Sequence, residues 1–146
     1  MKTARQLLQE TPSLALFAVS ANTSVFDALK LMAEQDIGAV LVMDGETLLG
    51  LMSERDYARK VILQGKASVS TPVSEIMTRR VAFVRPADTV DQCMAVMAAA
   101  RVRHVPVMDG STVLGVISIT DMVREQIADQ QFSIAQLEHY IYDIRG

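Results

Sequence analysis

The 146-residue chain writes one passage twice. Val40–Asp56, VLVMDGETLLGLMSERD, returns 65 positions later as Val105–Asp121, VPVMDGSTVLGVISITD, and ten of the seventeen aligned positions are identical. Unrelated segments of this length share about one or two identities on ordinary residue frequencies. Apolar packing alone preserves apolar character. It does not preserve Gly50, Ser53 and Asp56 against Gly115, Ser118 and Asp121 at one spacing. Whatever the chain folds into must therefore be built from two like units.

Each copy reads as strand, helix, two strands and helix. In the first, Phe17–Val19 is a short apolar run and Ser24 is a fitting N-cap for a helix over Val25–Gln35, with Val25, Ala28, Leu29, Met32 and Ala33 on one stripe. Val40–Met43 and Thr47–Met52 make a hairpin about Asp44-Gly45, and Ser53 opens a helix to about Leu63. The second copy follows with a strand at Val81–Val84, then a helix burying Val90, Cys93, Met94 and Met97. Its hairpin takes Val105–Met108 and Val113–Ser118, and its last helix runs from about Ile119 to Ala128. Short helices are expected at Ala4–Leu8 and Val73–Met77, and an amphipathic one at Ser133–Ile144 from Ile134, Leu137, Ile141 and Ile144.

These units set the expected organisation: residues 1–63 the first repeat with its N-terminal helix, 64–72 a polar, proline-ended linker, 73–128 the second repeat, and 129–146 a helical extension. A three-stranded sheet cannot bury both faces alone. The expected class is α+β, with the two β-α-β-β-α repeats packed sheet to sheet about a pseudo-two-fold axis, flanking helices at both ends, and two equivalent clefts.

Half the residues are hydrophobic, enough for a core, and the net charge of −3 leaves no electrostatic footprint for nucleic acid. No apolar run is long enough to span a membrane, and MKTARQLLQE lacks a secretory apolar stretch, so a cytoplasmic location is expected. Cys93, the one cysteine, falls on the apolar face of its helix and suits a reducing compartment. Catalysis lacks support: neither a P-loop nor a dinucleotide fingerprint is present, and His104 and His139 have no partners at metal-ligand spacing.

Gly-x-x-Ser-x-x-Asp ends the second hairpin strand in both copies, where strand becomes helix. Two readings fit. The serine and aspartate can form a helix cap, worth about 1 kcal/mol without any ligand. Alternatively, helix amides and the hydroxyl face a phosphate while the carboxylate accepts from vicinal ribose hydroxyls.

With VSEIMT at Val73–Thr78, VPVMDG at Val105–Gly110 and GVISITD at Gly115–Asp121, and VLVMDG and GLMSERD in the first copy, the chain resembles a tandem pair of CBS domains, the family named after cystathionine β-synthase. The resemblance runs from the N-terminal helix to Ala128 and extends to small stand-alone bacterial proteins of the family. Its departures are TARQLLQE in place of the VSEIMT lead-in and Leu41 where the second copy has Pro106. It implies a regulatory module binding adenine nucleotides or adenosyl compounds. The ligand would be AMP, ADP, ATP or NAD(H), with S-adenosylmethionine as an alternative, and the module a disk-shaped homodimer acting on an effector protein. Its site residues would be Asp121, Ser118 and Thr120 in one site and Asp56, Ser53 and Arg55 in the other. Thr78, Val81 and Ala82 would complete the Asp56 pocket.

The copies diverge before the hairpin. Arg101, Arg103 and His104 stand opposite Asp36, Gly38 and Ala39. Arg103 and His104 are candidate phosphate donors, so the Asp121 site is expected to bind better. The leading reading is a small-ligand sensor. The other is a dimerisation scaffold with degenerate pockets.

Overall fold

A computed structural model describes residues 2–10 and 17–145, with side chains described except at 132–134 and 140–145. Helix α1 spans Ala4–Glu10, followed by strand β1 (Ala18–Val19), helix α2 (Val25–Gln35), strands β2 (Ala39–Asp44) and β3 (Thr47–Ser53), and helix α3 (Glu54–Tyr57). Helix α4 (Val90–Ala100), strands β4 (His104–Asp109) and β5 (Thr112–Ser118) and helix α5 (Ile119–Arg145) repeat the pattern.

Local chemistry sets these boundaries. The Ser24 hydroxyl accepts the Asp27 N–H at 3.1 Å, and Thr89 with Gln92 forms a reciprocal capping box at α4. Each cap satisfies amides the helix cannot. Both helices end on a left-handed residue, Asp36 (φ 53°) and Arg101 (φ 56°), which hold equivalent places. In each hairpin the turn takes Gly45-Glu46 or Gly110-Ser111, with positive φ at the glycine, the pattern of a type II′ turn. A register shift at Val42/Met43 recurs at Val107/Met108.

The strand expected at Val81–Val84 is reduced to one parallel bridge, Val84 to Val107. In the first copy the Leu41 N–H donates to the Phe17 carbonyl at 3.0 Å, and β1 pairs along β2. Pro106 occupies the place of Leu41 and has no N–H, so that rung is missing and pairing shrinks to bonds on either side of Val107. The helix expected from Ser53 to Leu63 is α3 followed by a π-helical turn, Ala58–Ile62. The two terminal helices expected at Ile119–Ala128 and Ser133–Ile144 are one helix, since no glycine or proline interrupts Asp129–Ser133. Of the stripe at Ile134, Leu137, Ile141 and Ile144, only Leu137 has a described side chain, and it is exposed. The others lie outside the described side chains.

Three apolar layers hold the molecule. Val40, Val42 and Met52 pack on Val25, Ala28 and Met32 of α2, while Val105, Val107 and Ile117 pack on Val90, Cys93 and Met97 of α4. Between the repeats, Ala39, Leu41 and Leu51 meet Val81, Val113 and Val116, so the sheets pack face to face. Each fully buried valine, leucine, isoleucine or methionine among these contributes about 1.5–3 kcal/mol. Burial raises the Cys93 thiol pKa to about 11, with Asp88 adding to the shift, which leaves an inert packing residue.

The lead-in segments cross over. Ala4 and Leu7 of α1 are buried in the second repeat, tied by Ala4 N–H to Asp88 carbonyl at 2.8 Å and Val90 N–H to Lys2 carbonyl at 3.1 Å. Val73, Ile76 and Met77, which precede the second repeat, are buried in the first. Thr78 and Leu51 exchange both backbone hydrogen bonds, at 2.8 and 3.0 Å. Gly50 permits this approach, since a Cβ there would lie 2.7 Å from the Thr78 carbonyl oxygen.

Candidate functional site

Each Ser-x-x-Asp forms a closed cap at a strand-to-helix junction. In the second copy the Asp121 N–H donates to the Ser118 hydroxyl at 3.1 Å. The Ser118 N–H and hydroxyl both donate to Asp121 Oδ2, at 2.9 and 2.8 Å. The first copy repeats this: Asp56 N–H to the Ser53 hydroxyl at 3.2 Å, and Ser53 N–H and hydroxyl to Asp56 Oδ2 at 2.9 and 3.0 Å. The single proton of each serine hydroxyl is thereby committed to its own aspartate, leaving none for a phosphate.

The other carboxylate oxygens differ. Asp56 Oδ1 accepts from Thr78 Oγ1 at 3.2 Å and pairs with Lys60 Nζ at 3.0 Å, and the residue is 8% exposed. Lys60 also donates to the Ile76 carbonyl at 2.9 Å. Asp121 Oδ1 has no protein partner among the described residues, and Asp121 lines the cavity described next.

That cavity, about 950 Å³, takes in side chains of both repeats, so the two expected clefts are continuous. All eleven candidates line it: Asp121, Ser118, Thr120, Arg103 and His104, then Asp56, Ser53 and Arg55, with Thr78, Val81 and Ala82. Arg55 is partly committed, its guanidinium donating to the Arg101 carbonyl at 3.0 Å across the repeats. His104 fits where its counterpart repeat provides Gly38: a Cβ on Gly38 would stand 2.9 Å from His104 Nε2. Burial lowers the His104 pKa, with Arg103 adding to the effect and Asp121 and Glu54 opposing it, so the neutral ring is favoured.

Residues absent from the sequence reading also line the cavity, among them Arg59, Lys60, Arg80 and Arg124. A signal for two of them was present. Continuing the 65-residue register three positions past the aspartates aligns Arg59 with Arg124, making Ser-x-x-Asp-x-x-Arg in both copies. The lining carries seven Lys/Arg side chains against four carboxylates, an excess of three positive charges in a chain of net charge −3. Among the described residues, no group of His, Cys, Asp and Glu is arranged to hold a metal, and no helix is long and apolar enough to cross a membrane.

The CBS domain family profile matches residues 9–62 and 73–128, which covers both repeats and most of the chain. The chain belongs to the CBS-domain family. This CBS pair is 49% identical to a Burkholderia ambifaria protein described as a signal-transduction protein with CBS domains, at a TM-score of 0.84 over 88% of this chain and 96% of that one. It is 35% identical to the mitochondrial CBS domain-containing protein CBSX3 of Arabidopsis thaliana over 84% of this chain. The pair spans 62% of that plant protein's length. A hexameric CBS-CP12 protein from bloom-forming cyanobacteria is 27% identical, with a TM-score of 0.74 over 84% of this chain and 70% of that one.

Proposed function

We propose that this CBS pair is a regulatory sensor that binds an adenine nucleotide, such as AMP, ADP, ATP or NAD(H), in the cavity between its repeats. The observation carrying this reading is the contrast between the two aspartates. Asp121 is held rigidly through Oδ2, while Oδ1 is left to accept hydrogen bonds, and a ribose diol supplies two donors suited to a carboxylate. Ser118 fixes the carboxylate. Arg103, and the neutral His104 ring through its one N–H, supply phosphate donors at the same rim, with Thr120 beside them. In the first copy Thr78 and Lys60 take the oxygen that the ribose would need, so Asp56, with Ser53 and Arg55, forms the weaker site.

Occupancy of a cavity lined by both repeats favours one spacing of the sheets, and a population shift of this kind is what an effector protein could read. The working unit in this reading is a homodimer in the cytoplasm. Val123, Ile127 and Leu137 of α5 are exposed apolar residues available to an assembly surface.

Calorimetry with AMP, ADP, ATP, NAD(H) and S-adenosylmethionine tests the proposal. Binding tighter than millimolar is expected, and Asp121→Ala should weaken it more than Asp56→Ala. Absence of any such binding, together with a stable dimer whose melting temperature ignores nucleotides, would establish the scaffold reading instead.

A further inference from the structure

The cavity gathers guanidinium groups that no carboxylate among the described residues pairs with. Arg59, Arg80, Arg101, Arg103 and Arg124 all line it, and none has an ion-pair partner among the described residues, where the ion pairs involve Lys2, Lys60 and Lys66. They converge from four places in the chain: the turn after α3, the lead-in of the second repeat, the α4–β4 junction and α5. Asp56 is neutralised by Lys60, which leaves Asp36, Glu54 and Asp121 as the acidic counterweight.

Gathering guanidinium groups around one space is unfavourable unless an anion occupies it. Two of the five, Arg59 and Arg124, follow their aspartates by three residues in both copies, the helical spacing that places side chains on one face. The Asp121 carboxylate, whose Oδ1 is left to accept, therefore has the Arg124 guanidinium one turn along, and Arg59 holds the same place after Asp56.

We infer that the cavity selects a nucleoside polyphosphate, with two or more linked phosphates, over a nucleoside monophosphate or an adenosyl cation, and that Arg59 and Arg124 set this preference. The inference rests on the nucleotide reading above and narrows it. Each added phosphate brings about one further negative charge at neutral pH, and guanidinium pairs with phosphate oxygens in bidentate fashion. The sulfonium of S-adenosylmethionine would add positive charge to a lining already in positive excess.

The test is calorimetry in magnesium-free buffer at two salt concentrations with adenosine, AMP, ADP, ATP, S-adenosylmethionine and inorganic tripolyphosphate. Affinity should rise from AMP through ADP to ATP, by about tenfold overall, and the gap should narrow with salt. Arg59→Gln and Arg124→Gln are exposed-site changes expected to keep the fold, checked by circular dichroism, and each should reduce the ATP-to-AMP affinity ratio about threefold. AMP or S-adenosylmethionine binding as tightly as ATP would overturn the inference and leave the nucleotide reading standing. So would an unchanged ratio in both arginine variants. Tripolyphosphate binding as tightly as ATP while adenosine and AMP fail to bind would support the polyphosphate preference and remove the nucleotide reading.

Discussion

Replacing each aspartate by alanine should separate stability from binding. Asp56 receives four contacts through its carboxylate: two from Ser53, one from Thr78 and one from Lys60. Removing the cap interaction costs about 1 kcal/mol. Orphaning the partly buried Thr78 hydroxyl and the Ser53 hydroxyl proton adds about 1.5 kcal/mol. The Lys60 pair, with the lysine side chain 45% exposed, adds only about 0.5 kcal/mol. Asp56→Ala should thus destabilise by about 3 kcal/mol. Asp121→Ala loses the cap and the Ser118 hydroxyl contact alone, about 1.5 kcal/mol. Equilibrium urea unfolding with unchanged m-values measures the difference directly, and at about 3 °C per kcal/mol the melting temperatures should separate by about 4–5 °C. The ligand affinities should fall in the reverse order. If Asp121→Ala proves as destabilising as Asp56→Ala, the claim that Thr78 and Lys60 make Asp56 the more structural of the two is refuted.

Gly38→Ala places a Cβ 2.9 Å from His104 Nε2, and forcing the ring aside should cost about 1–3 kcal/mol by urea unfolding, most of it recovered in the Gly38→Ala/His104→Ala double variant. The His104 pKa is lowered in the folded protein, chiefly by burial, so the unfolded chain binds the proton more readily. Its stabilising contribution is complete above the unfolded value of 6.5 and is lost as the pH falls through the folded value, so acidification should destabilise the wild type more steeply than His104→Gln. Truncation after Ala128 removes no residue buried in the described core and none that lines the cavity, so ligand affinity measured by calorimetry should stay within about twofold of the full chain. Sedimentation of the same truncation reports whether the distal half of α5 carries the assembly.

Local chemistry made much of the fold legible. Ser24 announced α2, the Asp-Gly pairs announced the hairpins, and the 65-residue echo announced two packed sheets. The lost strand at Val81–Val84 was also written in the sequence, because Pro106 lacks the N–H that Leu41 uses. The π-helical turn at Ala58–Ile62 was not, since Ala-Arg-Lys-Val-Ile carries no breaker. Among the site residues, all eleven candidates line one cavity, and Thr78 was expected in the Asp56 pocket, yet the sequence showed neither its hydrogen bond to Asp56 nor that Gly38 yields room to His104. Those are contacts between segments distant in the chain, where no periodicity operates; Lys60, by contrast, follows Asp56 at the i,i+4 spacing of a helical ion pair and was within reach of the sequence. Arg59 and Arg124 were within reach of the repeat and lay three residues beyond where the identities were compared.

The crossing of the lead-in segments bears on how such a chain could arise. Each repeat borrows core side chains from the segment that precedes the other: Ala4 and Leu7 complete the second, Val73, Ile76 and Met77 the first. A single repeat with only its own lead-in in this geometry would lack core side chains that the other lead-in supplies here. Exchanging arms with a second copy of itself, the domain-swapped route to a dimer, would fill that core. Residues 64–72 thus join two units whose cores each depend on a segment preceding the other. Severed there, the halves should be unable to persist apart and should reassemble when mixed.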